Sequence, residues 1–237
     1  MQDHYNHLDQ PISFDVPNWS ACEFPPHTPM LGQYCNLVPL DPSLHAQQLY
    51  QAFCEDSTHK NWTYLPIGPF ADFAAFNAWL EDVAAHTDPL FFSIIDKKTQ
   101  QAIGMASYLR ITPQAGTIEV GHIHFSAKLQ KTPLATEAMY LMMQRVFEQL
   151  GYRRYEWKCD SLNLPSKKAA QRLGFSFEGI FRQALIYKQR NRDTAWFSVI
   201  DNEWPALKLA FEAWLHPDNF KINGQQLKSL STFIPPL

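Results

Sequence analysis

Glycine is scarce in this chain of 237 residues: only nine are present, about 4%, against a usual share of ~7%. They are not clustered. That excludes a Walker loop and a Rossmann fingerprint, which both need several glycines close together, and no Gly-x-Ser-x-Gly elbow occurs. Cysteine is also sparse. Cys22, Cys35, Cys54 and Cys159 include no Cys-x-x-Cys pair, and four cysteines in a chain this long argue against a disulfide scaffold and for reduced thiols. No apolar run reaches the ~18 residues of a membrane span. The start, Met1-Gln2-Asp3-His4-Tyr5, lacks the basic and apolar regions of a signal peptide. A cytoplasmic location without membrane contact is the expectation. Excess positive charge is missing too. Lys and Arg number 20 against 23 Asp and Glu, a net charge of −3, which argues against a nucleic-acid partner.

The chain is 46% apolar and 18% charged, enough to build one sizeable core. Proline is plentiful, 17 in all, and seven (Pro11, Pro17, Pro25, Pro26, Pro29, Pro39 and Pro42) fall in the first 42 residues. That stretch reads as an extended arm without regular structure, pinned down by Phe14, Trp19 and Phe24. The expected division is an arm over 1–32, a domain over 33–203, and a C-terminal helix and tail over 204–237.

Alternating elements follow the arm. Gln33–Val38 reads as a strand. Pro42–Glu55 reads as a helix, with Asp41 as N-cap and Pro42 at its first position. A loop with Trp62 and Tyr64 leads to a helix over Ala71–His86, with Phe73, Phe76, Leu80 and Val83 at helical spacing. Leu90–Asp96, Ala102–Ile111 and Thr117–Phe125 read as an antiparallel meander. Pro133–Leu150 is the longest helix, stopped by Gly151. Strand Tyr155–Cys159, short helix Pro165–Leu173, strands Phe175–Tyr187 and Ala195–Asp201, and helix Trp204–Leu215 complete the order. Strands on both sides of the long helix imply an α/β (α+β) fold: a mixed sheet of six to seven strands with one β-α-β crossover.

Two motifs lie on that crossover. Gln130-Lys131-Thr132-Pro133-Leu134-Ala135, followed by Thr136, sits between a strand and the long helix. Asn163-Leu164-Pro165-Ser166 opens the short helix, which ends in Leu173-Gly174-Phe175. A strand feeding a helix N-terminus presents unpaired N–H groups and the positive end of the helix dipole, a ready site for a diphosphate. Both motifs, in this order, resemble those of the GNAT acetyltransferases, in particular the RimJ/RimL-like branch, over residues 33–203.

The resemblance implies an N-acetyltransferase using acetyl-CoA, with no metal, and a primary amine as acceptor, either a protein N-terminus or a small molecule. Gln130, Lys131, Thr132, Leu134, Ala135 and Thr136 would hold the pyrophosphate. Asn163 and Ser166 would hold the pantetheine arm, with Ser166 protonating the departing thiolate. Backbone N–H groups at Phe125 and Ser126 would polarise the thioester. Glu119, eleven residues before Gln130, would take the amine proton. Trp62 and Tyr64 fall in the wall of the acceptor site, with His122 and Tyr187 as further acceptor contacts. Lys167, Lys168 and Arg172 are candidates for the coenzyme's 3′-phosphate.

Three departures from the family pattern stand out. Pro133 replaces the first loop glycine and removes one N–H donor. Ala170 stands where many members have an acidic tyrosine, and Leu185 where RimL-like enzymes have a carboxylate. The competing reading is a non-catalytic acyl-CoA-binding or structural protein on the same fold. His122 and His124, two apart on one strand, are expected on the face opposite Glu119, as packed histidines or an alternative base. A monomer or a homodimer is compatible with the sequence.

Overall fold

The computed structural model describes residues 4–235. The strands are β1 (His4–Tyr5), β2 (Pro11–Ile12), β3 (Met30–Leu31), β4 (Cys35–Pro39), β5 (Leu90–Asp96), β6 (Ala102–Thr112), β7 (Thr117–Phe125), β8 (Arg154–Asp160), β9 (Ser176–Tyr187) and β10 (Arg190–Ile200). The helices are α1 (Pro42–Cys54), α2 (Phe73–Ala84), α3 (Pro133–Gln144), α4 (Leu164–Arg172) and α5 (Trp204–Leu215). Eight strands form one sheet in the order β3-β4-β5-β6-β7-β8-β10-β9. All neighbours are antiparallel except β7 and β8, which α3 joins as the expected crossover.

The local chemistry explains the helix starts. Asp41 accepts from the Ser43 N–H ahead of Pro42, and Asp72 accepts from the Ala75 N–H ahead of α2. Thr132 does the same for α3, and Asn163 for α4. Beyond Gln144 the long helix widens into a π turn over Arg145–Gln149, so its regular part is shorter than expected.

The sheet separates two cores. On its front, α1 and α2 cover β5 and β6 with Leu49, Phe53, Trp62, Phe76, Leu80 and Phe91. On its back, α3 and α5 close over Phe92, Tyr108, Ile118, Val120, Tyr155 and Phe197.

The arm departs from the expectation of no regular structure. Residues 4–12 form a short hairpin, and Met30–Leu31 adds a strand to the sheet, which raises the strand number to eight. The arm is pinned largely by backbone and polar contacts. Arg145, buried, donates to the carbonyls of Thr28 at 2.8 Å and Pro29 at 2.7 Å. Tyr152 Oη donates to the Glu23 carbonyl at 3.1 Å, and Trp19 Nε1 to the Gln114 carbonyl at 2.7 Å. Trp19 lies over Gly116, where any side chain would collide with it. No helix among the described residues is long and apolar enough to cross a membrane.

Candidate active site

β7 and β8 pair only from Thr117↔Arg154 to Val120↔Trp157. Beyond that, β7 stays with β6 as far as Phe125, while β8 stays with β10 as far as Asp160. A gap therefore opens between Gly121–Phe125 and Lys158–Asp160. A β-bulge accompanies it. Three steps on β7, from Gly121 to His124, face two on β6, from Ser107 to Met105. His122 holds a left-handed φ of 48° there. A bulge bends its strand and increases the local twist, which turns the end of β7 away from β8.

The bulge also reverses the side-chain parity. His122 and His124 lie on the same face as Glu119, contrary to the strict alternation assumed from sequence. His122 Nδ1 is 2.8 Å from Ser107 Oγ. His124 stacks on Phe53 at 3.8 Å and meets Trp62 edge-on at 4.0 Å, and neither ring nitrogen has a hydrogen-bond partner among the described residues. Burial pushes both rings down, His122 to about 4 and His124 to about 3, so both are neutral at physiological pH. Among the described residues no group of three or more metal-ligating side chains is assembled.

Ser126 N–H donates to the Ile103 carbonyl at 3.2 Å. By the alternation of an antiparallel ladder, the Phe125 N–H points the other way, into the gap. Of the two groups expected to polarise a thioester, only that of Phe125 is available. Gln130 Nε2 fixes the turn by donating to the Phe125 carbonyl at 2.8 Å and reaches Asn61 Oδ1 at 3.3 Å.

The loop into α3 closes on itself. Thr132 Oγ1 donates to the Leu129 carbonyl at 2.6 Å and accepts from the Ala135 N–H at 3.3 Å. Lys131 adopts a left-handed φ of 61°, and its side chain is exposed. The N–H groups of Lys131, Thr132 and Leu134 make no hydrogen bond to a described residue. They remain free at the positive end of α3, which suits an anionic ligand. Thr136 does not face this mouth; it is buried and accepts from Arg172 Nη1 at 3.0 Å. The same contact turns Arg172 inward, over the Trp214 ring at 5.0 Å. This removes Arg172 from the expected phosphate contacts.

Asn163 Oδ1 accepts from the Ser166 N–H at 3.1 Å, the capping bond that starts α4. Ser166 Oγ accepts from Trp157 Nε1 at 2.9 Å, which leaves its own proton to donate, with the Cys159 thiol as a neighbouring partner.

Glu119 is 3% exposed. Its Oε2 takes Arg110 Nη1 at 2.8 Å and Lys158 Nζ at 3.0 Å. Its Oε1 carries no hydrogen bond to a described residue. Lys158 also meets Glu156 at 2.7 Å and sits 3.9 Å from the centre of the Trp196 ring. Burial raises the Glu119 pKa, and the two cations limit that rise. The sequence reading missed Arg110 and Lys158. The pairing of Glu119 with Glu156, two residues before Lys158, depends on the parallel register, which no local pattern encodes.

Trp62 fills the front core at 4% exposure instead of lining an open wall. Its own segment nevertheless bridges the gap. Lys188 Nζ donates to the Trp62 carbonyl at 2.7 Å, and Arg190 Nη2 to the Thr63 carbonyl at 2.9 Å. Tyr64 Oη donates to the Leu162 carbonyl at 3.2 Å. Tyr187 Oη is held by Asp160 Oδ2 at 2.8 Å. Lys188 and Gln189 both have left-handed φ and form a tight hairpin turn, and that turn places Lys188 over the gap.

A family model described as an acetyltransferase (GNAT) domain matches residues 35–176, which spans the gap, its loop and α4. The chain belongs to the GNAT acetyltransferases. It is similar to a GCN5-related N-acetyltransferase from Brucella melitensis. The two are 46% identical, with a TM-score of 0.90, over 92% of this chain and 99% of that one. A GNAT-family acetyltransferase structure from Chromobacterium violaceum is 41% identical, with a TM-score of 0.77, over 83% and 98% of the two chains. The uncharacterized N-acetyltransferase p20 of Bacillus licheniformis is 28% identical over 144 residues, 60% of this chain and 80% of p20.

Proposed function

We propose that this GNAT acetyltransferase moves an acetyl group from acetyl-CoA to a primary amine, a protein N-terminus or a small-molecule amine, by direct attack. The observation that carries the reading is the gap between β7 and β8, with the Phe125 N–H aimed into it and the free N–H groups of Lys131, Thr132 and Leu134 at its mouth. Those groups fit a thioester carbonyl and a diphosphate respectively. Acetyl-CoA supplies the activated thioester. The Asn163-x-x-Ser166 and Gly174-Phe175 motifs support the RimJ/RimL-like branch.

The chain's residues divide the proton work. An amine must lose a proton to attack. Glu119 Oε1, free while both cations hold Oε2, accepts that proton directly or through one water. Its raised pKa makes it a better base than an ordinary surface carboxylate. As nitrogen bonds to the carbonyl carbon, Phe125 N–H stabilises the oxygen. When the carbon–sulfur bond breaks, Ser166 Oγ gives its proton to the leaving thiolate. Trp62, Tyr64, His122 and Tyr187 shape the acceptor side. Trp62 does so as the packed base of the bridging segment, and Tyr187 through Asp160.

Two positions favour a non-catalytic acyl-CoA binder: Ala170 and Leu185 stand where the family resemblance expects a proton-donating tyrosine and a carboxylate base. The two readings separate in one pair of measurements. Calorimetry with acetyl-CoA should show binding, and release of free coenzyme A thiol should rise on adding members of an amine panel. Binding without amine-dependent release would favour the non-catalytic reading. No heat at high micromolar acetyl-CoA would overturn both.

A further inference from the structure

β9 ends the sheet, so among the described residues no strand lies beside the outer row of its backbone N–H and C=O groups. Its side chains are unusually apolar for an edge. Phe177, Ile180, Phe181, Leu185 and Ile186 are all exposed, Phe181 at 62% and Ile186 at 84%. Natural edges are often blunted with lysine or proline, and the twelve residues of β9 contain neither. Irregularities on either side leave Gly179–Phe181 as a short regular stretch against β10 in the middle of the strand.

Gly179 lies directly opposite Trp196 and holds φ at 148°, and a Cβ there would meet nothing within 4 Å. No described residue fills this slot. Phe181, two residues on, projects to the same face and packs edge-on against Trp196 at 6.0 Å.

We propose that β9 pairs antiparallel with β9 of a second copy of this chain, about a two-fold axis at Ile180. This register places Phe181 over the partner's Gly179, and the reverse, while Ile180 faces itself. Covering an edge glycine with a cross-strand aromatic ring is a favourable pair. Glu178 is already held within its own chain by Arg154 and Ser198, so the register rests on the reciprocal contact of Phe181 with Gly179. The pair is its own complement, so the assembly closes at two subunits. An unrelated extended peptide could use the edge but would not bring a phenylalanine to each glycine slot. The proposal does not depend on the catalytic reading.

Sedimentation of the full chain at tens of micromolar should give twice the mass of 27.4 kDa. Phe181→Asp should give a folded monomer, because that side chain is exposed and its loss does not threaten the core. In a Cys54→Ser background, Ile180→Cys should oxidise to a linked dimer. Directly opposed residues lie about 4.5–5.5 Å apart at Cα, within disulfide reach. Arg182→Cys should not link to itself, since the axis holds its two copies four residues, about 13 Å, apart. A monomeric wild type, a dimer that survives Phe181→Asp, or linkage through Arg182→Cys in place of Ile180→Cys would each overturn the proposal.

Discussion

The two halves of the sheet's front face treat ionisable groups in opposite ways. Under α1 and α2 the face is aromatic and closed, built from Phe53, Trp62, Phe76 and Phe91. Across β7 and β8, where neither helix reaches, it carries an ion network running from Arg110 through Glu119, Lys158, Glu156 and Arg154 to Glu178. His124 and Glu119 stand on the same strand and face, five residues apart. Burial alone governs His124, whose ring is neutral and unpaired. Glu119 is equally buried but has two cations within 3.0 Å. The gap lies on the border between the halves. A carboxylate that can hold or take a proton thus sits beside a region that excludes water, which suits amine deprotonation next to a thioester.

Emptying the closed half should give the largest effect. Trp62→Ala removes a ring packed against Phe53, Phe70 and His124 and should cost about 3–5 kcal/mol in chemical denaturation. Little change would mean that the aromatic half contributes less than its packing implies. Lys158→Met probes the ionic half. Without the ammonium, burial of Glu119 is less well opposed and its pKa rises further. Glu119 must be ionised to act as the proposed base, so the acid limb of kcat/KM should move to higher pH, by about 1–3 units. Lys188→Ala loosens the bridge between the halves by one charged hydrogen bond to the Trp62 carbonyl. It should raise KM for the amine a few-fold, with coenzyme affinity unchanged, in steady-state assays. The smallest effect is expected from His124→Phe, which replaces an unpaired polar ring by an apolar one and should stabilise by about 1 kcal/mol or less at pH 7. Its pH dependence is more telling. The folded ring resists protonation while the unfolded one titrates near 6.5, so wild-type stability falls as pH drops below that value. The variant should lose less over the same range.

Local patterns revealed much of the fold. Leu90–Asp96 and Thr117–Phe125 match β5 and β7 to the residue, and Asp41-Pro42 marks the start of α1. Those signals are hydrophobic runs, alternation and caps, all written in adjacent residues. The bulge was hidden because alternation continues in the letters while the backbone shifts. Gly121 followed by His122 was the available hint, since a glycine within a strand often marks a bulge and histidine tolerates positive φ better than most residues. Trp62 looked like a site aromatic because a loop position gives no sign of how deeply it inserts. The partners of Glu119 and the bridge from Lys188 depend on register and long-range packing, so they became visible only in the folded chain.

The pH dependence of kcat/KM for wild type and Glu119→Gln, with calorimetry of acetyl-CoA on both, tests the central claim most directly. The account predicts equal coenzyme binding, a fall in kcat of roughly 100-fold or more in the variant, and loss of the wild-type acid limb, which should lie above the ordinary carboxylate range. An unchanged kcat, or the same acid limb in both proteins, would contradict it.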